Sequence, residues 1–155
     1  KGAAAEPYIN HLLEVAELVS SAPSEPDTNL VIAALLHDTI EDAAVTKEEL
    51  IHAFGADVAE LVVELTDDKT LPKAERKRLQ IVDAPKKSVR AQVIKLADKI
   101  ANVRSVLSSP PTGWSAQRKR EYFDWSKQVV DALPAPNRKL KAEFERLYRK
   151  AGTLT

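Results

Sequence analysis

Apolar residues recur every three or four positions along most of this chain, the spacing of helices that bury one face. From Ile9 to Ser21 they fall at Leu12, Val15, Ala16 and Val19, and Pro23 and Pro26 then break the pattern. Asp27 or Thr28 is a suitable cap for a second helix, which the pattern carries to about Asp38 or slightly beyond. Thr46-Lys-Glu-Glu49 is a capping box, in which each end residue satisfies the other's backbone N–H, and it predicts a short helix ending near Gly55. Ala56 to Leu65 repeats the apolar spacing. Pro72 suits the first turn of a helix reaching about Val82. Ser88 to Leu107 is a long amphipathic segment, Ser115 caps a helix to about Leu133, and Asn137 to Lys150 gives the last. No stretch alternates like a strand. The pattern therefore predicts an all-α protein, one helical bundle over residues 1–155.

Composition narrows the function classes. A chain of 155 residues suits one domain with a single core. The 23 basic residues are balanced by 23 acidic ones, which argues against general charge attraction to nucleic acid. With no Cys, disulfides and thiolate metal sites are excluded. No apolar run is long enough to span a bilayer and no signal peptide is visible, so a cytoplasmic protein is expected. The start at Lys1 and the absence of Met suggest that an N-terminal helix lies ahead of residue 1.

Chemistry concentrates in Val31-Ile-Ala-Ala-Leu-Leu-His37-Asp38-Thr-Ile-Glu41-Asp42. Four groups able to bind metal or move protons adjoin a buried run, and burying them is costly unless something pairs with them. Carboxylates also disfavour helix C-termini, where this pattern puts Asp38, Glu41 and Asp42. Asp98 presents a second conflict, on an apolar line between Ile94 and Ala101, with Asn102 one turn further. Each residue has a plainer account. His11 and His37 can be half-buried rings bonded to carbonyls, Asp38 a helix terminator, and Asp98 a boundary residue paired with Lys95, Lys99 or Arg104. Taken together, His11, His37, Asp38 and Asp98 would form a His2Asp2 set suited to Mn2+, Fe2+ or Zn2+, with room for water and a phosphate oxygen. Glu41 and Asp42 lie about one turn beyond, placed to orient that water or shuttle its proton.

His37-Asp38 with distant His11 and Asp98 resembles the HD-domain metal phosphohydrolases. More narrowly, Pro7-Tyr8-Ile9-Asn10-His11, Leu35-Leu36-His37-Asp38-Thr39-Ile40-Glu41-Asp42 and Lys95-Leu96-Ala97-Asp98-Lys99-Ile100-Ala101-Asn102-Val103-Arg104 resemble the (p)ppGpp hydrolase domain of RelA/SpoT proteins. Thr66-Asp-Asp-Lys-Thr-Leu-Pro-Lys73-Ala-Glu-Arg-Lys-Arg and Gly113-Trp114-Ser115 with Glu121-Tyr122-Phe123-Asp124-Trp125 are similar to the stand-alone alarmone hydrolases, the group of the metazoan SpoT homologue. The resemblance spans nearly the whole chain.

It implies an HD-domain bundle and Mn2+-dependent removal of the 3′-pyrophosphate from ppGpp or pppGpp. It implies metal ligands at His11, His37, Asp38 and Asp98, a catalytic acidic pair at Glu41 and Asp42, and a third catalytic residue at Asn102, beside the metal and in contact with the nucleotide or nucleophile. Lys73, Arg118 and Tyr122 match positions that hold phosphate and nucleoside. NADPH, with its 2′-phosphate, is a second implied substrate. Lys69, Lys73, Arg76, Lys77 and Arg78 form a basic cluster whose plainer account is a solvated helix face; only some of them can face the pocket, and Lys73 is favoured by the resemblance. Phe123 and Trp125 read as core packing, and Trp114 as structural. Leu12 replaces the family's usual Pro, and Ala43 a common Thr. Basic residues that the family places before Pro7-Tyr8-Ile9 fall at or ahead of Lys1, and no segment remains for a synthetase domain. A nucleotide phosphatase, a non-catalytic alarmone sensor and a helical scaffold are the competing readings.

Overall fold

The computed structural model describes residues 6–152, which form nine α-helices and one 3-10 turn, with no strand among the described residues. The helices are α1 (Ile9–Ser20), α2 (Thr28–Leu36), α3 (Thr39–Ala43), α4 (Lys47–Phe54), α5 (Ala56–Leu65), α6 (Lys73–Asp83), α7 (Val89–Ser108), α8 (Ala116–Asp131) and α9 (Arg138–Ala151). Asp27, Thr46 and Ser115 cap helices as the sequence suggests, and Ser88 and Asn137, read there only as segment starts, cap theirs as well. Asp27 accepts from Leu30 N at 3.0 Å, Ser88 from Ala91 N at 3.2 Å, Ser115 from Arg118 N at 3.1 Å and Asn137 from Leu140 N at 3.1 Å. The Thr46–Glu49 capping box is complete. Pro72 sits one position earlier than expected, as the N-cap of α6.

The long helix α7 is the centre, with α1, α2, α5, α8 and α9 packed around it. Ile94, Leu96 and Ile100 are wholly buried there, and each such side chain adds roughly 1.5–3 kcal/mol relative to exposure. Arg104 of α7 ties α1 to α9, reaching Glu14 at 3.0 Å and Glu143 at 2.6 Å. Arg90, at the other end of α7, grips Asp27 and Asp57 at the starts of α2 and α5. These clamps fix α1 against α7, which brings His11 to Asp98. Helix α6 buries no residue; it is held from α8, where Trp125 Nε1 donates to the Lys77 carbonyl at 3.0 Å. None of the described helices is long and apolar enough to cross a membrane.

The expected second helix is cut short. It stops at Leu36, the chain turns through His37 and Asp38, and α3 begins at Thr39. Two side chains cover carbonyls left open by the break: His37 Nδ1 donates to Ala34 O at 2.6 Å and Thr39 Oγ1 to Leu36 O at 2.7 Å. Glu41 and Asp42 therefore occupy the first turn of a new helix. Acidic residues are favourable there, so the argument from an unfavourable helix C-terminus is overturned for them. Ala44, with φ of 54°, ends α3 in the left-handed region.

Candidate active site

His11, His37 and Asp98 each offer a ligand atom within 4.8 Å of the others, a cluster able to hold a metal ion. They come from α1, the α2–α3 turn and α7. His11 Nε2 lies 3.2 Å from Asp98 Oδ1, and His37 Nε2 lies 3.7 Å from the same oxygen. The short contact from His37 Nδ1 to a carbonyl places that ring's proton on Nδ1. Its Nε2 is then a lone pair, buried and without a hydrogen-bond partner. A bare imidazole nitrogen facing a second imidazole and a carboxylate is the donor set of a divalent first-row cation, and the carbonyl contact is the outer support such ligands use.

Asp38 stands beside this cluster without joining it in full. Its Oδ2 lies 3.3 Å from His37 Nε2 and accepts a hydrogen bond from the Tyr8 hydroxyl. Burial and the Asp38 carboxylate push that phenol far above its ordinary range. Burial alone lowers His37, but Asp98 and Asp38 outweigh it and the net shift is upward. Asp98 behaves in the opposite sense. Its burial favours the neutral acid, yet Lys99, His11 and His37 together hold it well below the usual carboxylate range. Asn102 Nδ2 donates to Asp98 Oδ1 at 2.7 Å.

The cluster opens into a cavity of about 280 Å³. Two helices present matching stripes to it at the i, i+3, i+4, i+7 spacing of one helix face. Helix α6 contributes Lys73, Arg76, Lys77 and Gln80; α7 contributes Lys95, Asp98, Lys99 and Asn102. Glu41 and Asp42 line the same space. Burial, reinforced by Asp67, raises the Glu41 pKa, and Arg76 Nη1 stands 3.5 Å from its carboxylate. Asp42 is exposed and pairs with Lys69.

Tyr122 lines the cavity as expected, but Arg118 does not. The Arg118 guanidinium stacks 4.7 Å from the Trp114 ring, which meets Tyr122 edge to face at 5.5 Å. Phe123 is core, as its reading had it, whereas Trp125 lines the cavity. The Lys99 ammonium lies 4.1 Å and the Lys77 ammonium 4.7 Å from the Trp125 ring centroid. Within the basic cluster, Arg76 and Lys77 join Lys73 on the wall, while Arg78 turns away to Glu75. The sequence left open whether Arg76 and Lys77 face the pocket, and it offered Lys95 only as an ion-pair partner of Asp98. The stripe spacing was the available signal: 76, 77 and 80 share a face with 73, and 78 does not.

A family model for the HD domain matches residues 1–124. The guanosine-3′,5′-bis(diphosphate) 3′-pyrophosphohydrolase MESH1 of Drosophila melanogaster is 45% identical over 148 residues, covering 96% of this chain and 83% of that protein. The Homo sapiens protein of the same name is 47% identical over 146 residues, covering 94% and 82%. The solved structure of a metazoan ortholog of SpoT, described as hydrolysing ppGpp and playing a role in starvation responses, superimposes with a TM-score of 0.93. It shares 44% identity and covers 99% of this chain and 86% of that one.

Proposed function

The chain belongs to the HD-domain family, and from that premise we propose that it is a hydrolase of guanosine alarmones. It removes the 3′-pyrophosphate from ppGpp or pppGpp, giving GDP or GTP and pyrophosphate, with Mn2+ as the metal. The observation that carries this reading is the His11–His37–Asp98 cluster opening into a cavity with a basic opposite wall.

His11, His37, Asp98 and Asp38 would hold the cation, with the Tyr8 hydroxyl donating to the Asp38 carboxylate beside His37. When bound, the cation supplies a water of lowered pKa and polarises the phosphoryl oxygens. Glu41, whose proton affinity is raised by burial, takes a proton from the attacking water. As the new P–O bond forms, the bond from phosphorus to the ribose 3′-oxygen breaks and that oxygen takes up the proton that Glu41 accepted. Asp42, paired with Lys69, orients the water. Asn102 fixes the Asp98 carboxylate through its hydrogen bond. Lys73 grips phosphate, Tyr122 packs against the nucleoside, and Arg118 acts from outside the cavity wall by holding Trp114 against Tyr122.

Product identification tests the reading. Purified protein is incubated with ppGpp and, separately, NADPH, with and without Mn2+. GDP and pyrophosphate from ppGpp, lost on chelation, are expected. Orthophosphate from NADPH with ppGpp left intact would replace the reading by a nucleotide phosphatase, and tight ppGpp binding with no turnover in saturating Mn2+ would replace it by a sensor.

A further inference from the structure

Lys73 is one end of the sequence motif Thr66-Asp-Asp-Lys-Thr-Leu-Pro-Lys73, whose other residues form the loop between α5 and α6. Much of that loop is bonded within itself. Thr66 Oγ1 donates to Val62 O at 2.8 Å. Asp68 accepts from Thr70 N at 2.9 Å and from Thr70 Oγ1 at 2.6 Å, and Leu71 N donates to Asp68 O at 3.2 Å. These bonds close the local turn that an aspartate side chain makes with the backbone two residues on. Asp67 and Lys69 send their side chains out of the loop instead. Lys69 pairs with Asp42. Asp67 turns its backbone N–H toward the Glu41 carboxylate, and its own carboxylate accepts a hydrogen bond from Gln80 Nε2, thirteen residues along the chain.

One loop therefore meets both members of the acidic pair, and they depend on such support. Helix α3 has five residues and buries none of them, and a helix that short does not hold itself in water. Arg76 Nη1, 3.5 Å from the Glu41 carboxylate, adds a contact from α6. Gln80, one turn further along α6, ties the loop to that helix. The tie is costly, because Gln80 Oε1 is buried and, among the described residues, has no donor. Gln80, Asp67 and Arg76 also line both the catalytic cavity and a second cavity of about 360 Å³. A loop with open space on two sides keeps its place only while a side chain holds it. We propose that Gln80 is a positioning residue for the acidic pair: it holds Asp67, and through Asp67 the loop that seats Glu41 and Asp42 beside the ligand cluster. The inference rests on the alarmone reading above, which gives those two carboxylates their work.

Three proteins test it beside wild type. Gln80→Leu removes the donor at similar size, and Gln80→Glu sets a carboxylate against Asp67. Gln80→Glu combined with Asp67→Asn exchanges amide and carboxylate and rebuilds the hydrogen bond in the reverse direction. Helix α6 buries no residue, so these substitutions leave the fold standing. With ppGpp and Mn2+, kcat of either single variant is expected to fall about tenfold or more, since misplacing a reacting group by about 1 Å costs up to about a hundredfold. KM stays within about twofold, and the exchanged pair recovers kcat to within about threefold of wild type. A second readout needs neither metal nor substrate. In metal-free protein, amide hydrogen exchange over residues 39–45 is expected to quicken about fivefold or more in the single variants, to return in the exchanged pair, and to stay unchanged over α2. Wild-type kcat in Gln80→Leu overturns the proposal. So does a loss carried by KM, an exchanged pair that recovers nothing, or exchange over 39–45 that matches wild type. A wild type that leaves ppGpp intact sinks the alarmone reading alone, and the exchange comparison then decides the role of Gln80.

Discussion

Replacing Asp98 by Asn removes the one charged member of the three-donor cluster and keeps the side chain's shape. Its Oδ1 is 3.2 Å from His11 Nε2 and 2.7 Å from Asn102 Nδ2, contacts that an amide oxygen can still make. The substitution also leaves the buried Lys99 ammonium without its counter-charge, so the metal-free protein melts lower, and the effect on the metal is read as each protein's Mn2+ shift from its own metal-free Tm. Loss of a group that merely orients a ligand weakens metal binding by about 10–100-fold, and a direct carboxylate ligand belongs at the top of that range or beyond. At a Mn2+ concentration about 100 times the wild-type Kd, binding stabilises the wild type by about 2.7 kcal/mol. A variant with its Kd raised about 100-fold is half saturated under the same conditions and gains roughly 0.4 kcal/mol. A chain of this size melts about 2–4 °C higher per kcal/mol. Mn2+ should thus raise the wild-type Tm by about 5–11 °C and that of Asp98→Asn by about 1–2 °C. Scanning calorimetry with and without Mn2+ at neutral pH reads both shifts. A variant that shows the full wild-type rise refutes Asp98 as a ligand, and a wild type that shows none refutes the metal centre.

Tyr8→Phe removes the hydroxyl that holds the Asp38 carboxylate beside His37, and metal titration should find a Kd weaker by about tenfold; an unchanged Kd makes that contact idle. Arg146 and Arg104 hold the Glu143 pKa down at about 2. A lowered carboxylate pKa stabilises the fold above the unfolded value near pH 4.3 and loses that effect as pH falls through the folded value. For this largely solvent-screened cluster the effect is about 1 kcal/mol at neutral pH, so urea melts of Glu143→Gln and wild type should differ near pH 7 and converge toward pH 2, and a constant difference would contradict the linkage. Ala44→Gly relieves a left-handed alanine and, after the entropy that glycine adds to the unfolded chain, should raise stability by about 0.5 kcal/mol; a lower denaturation midpoint would show that Ala44 is not strained.

The helices were legible because their ends carry chemistry: Asp27, Thr46, Ser88, Ser115 and Asn137 each use a side chain to accept a backbone N–H. His11, His37 and Asp98 were legible because each violates the apolar pattern around it. The break at His37 was not. Helical spacing continues through it, and only the pull of the His37 and Thr39 side chains on the last carbonyls of α2 shows why the chain turns. Glu41 and Asp42 were therefore singled out for a helix-end mismatch that the short α3 removes, while their place beside the cluster depends on tertiary packing. Lys95 and Lys99 were hidden for a different reason. A lysine in a helix is ordinarily solvated, and nothing local reveals that α7 is enclosed on nearly every side. Arg118 was placed by resemblance; its guanidinium stacks on Trp114, and it is not among the residues lining the cavity.

The indole of Trp125, with ammonium groups of two helices near its ring, has an optical consequence. Indole emission shifts with the electric field across the ring, and charges at 4.1 and 4.7 Å impose a large one. An anion entering the cavity neutralises part of that field. The chain has two tryptophans, so a Trp114→Phe protein carries a single emitter on the wall of the pocket. Its colour reports occupancy directly, with no label attached and no turnover required.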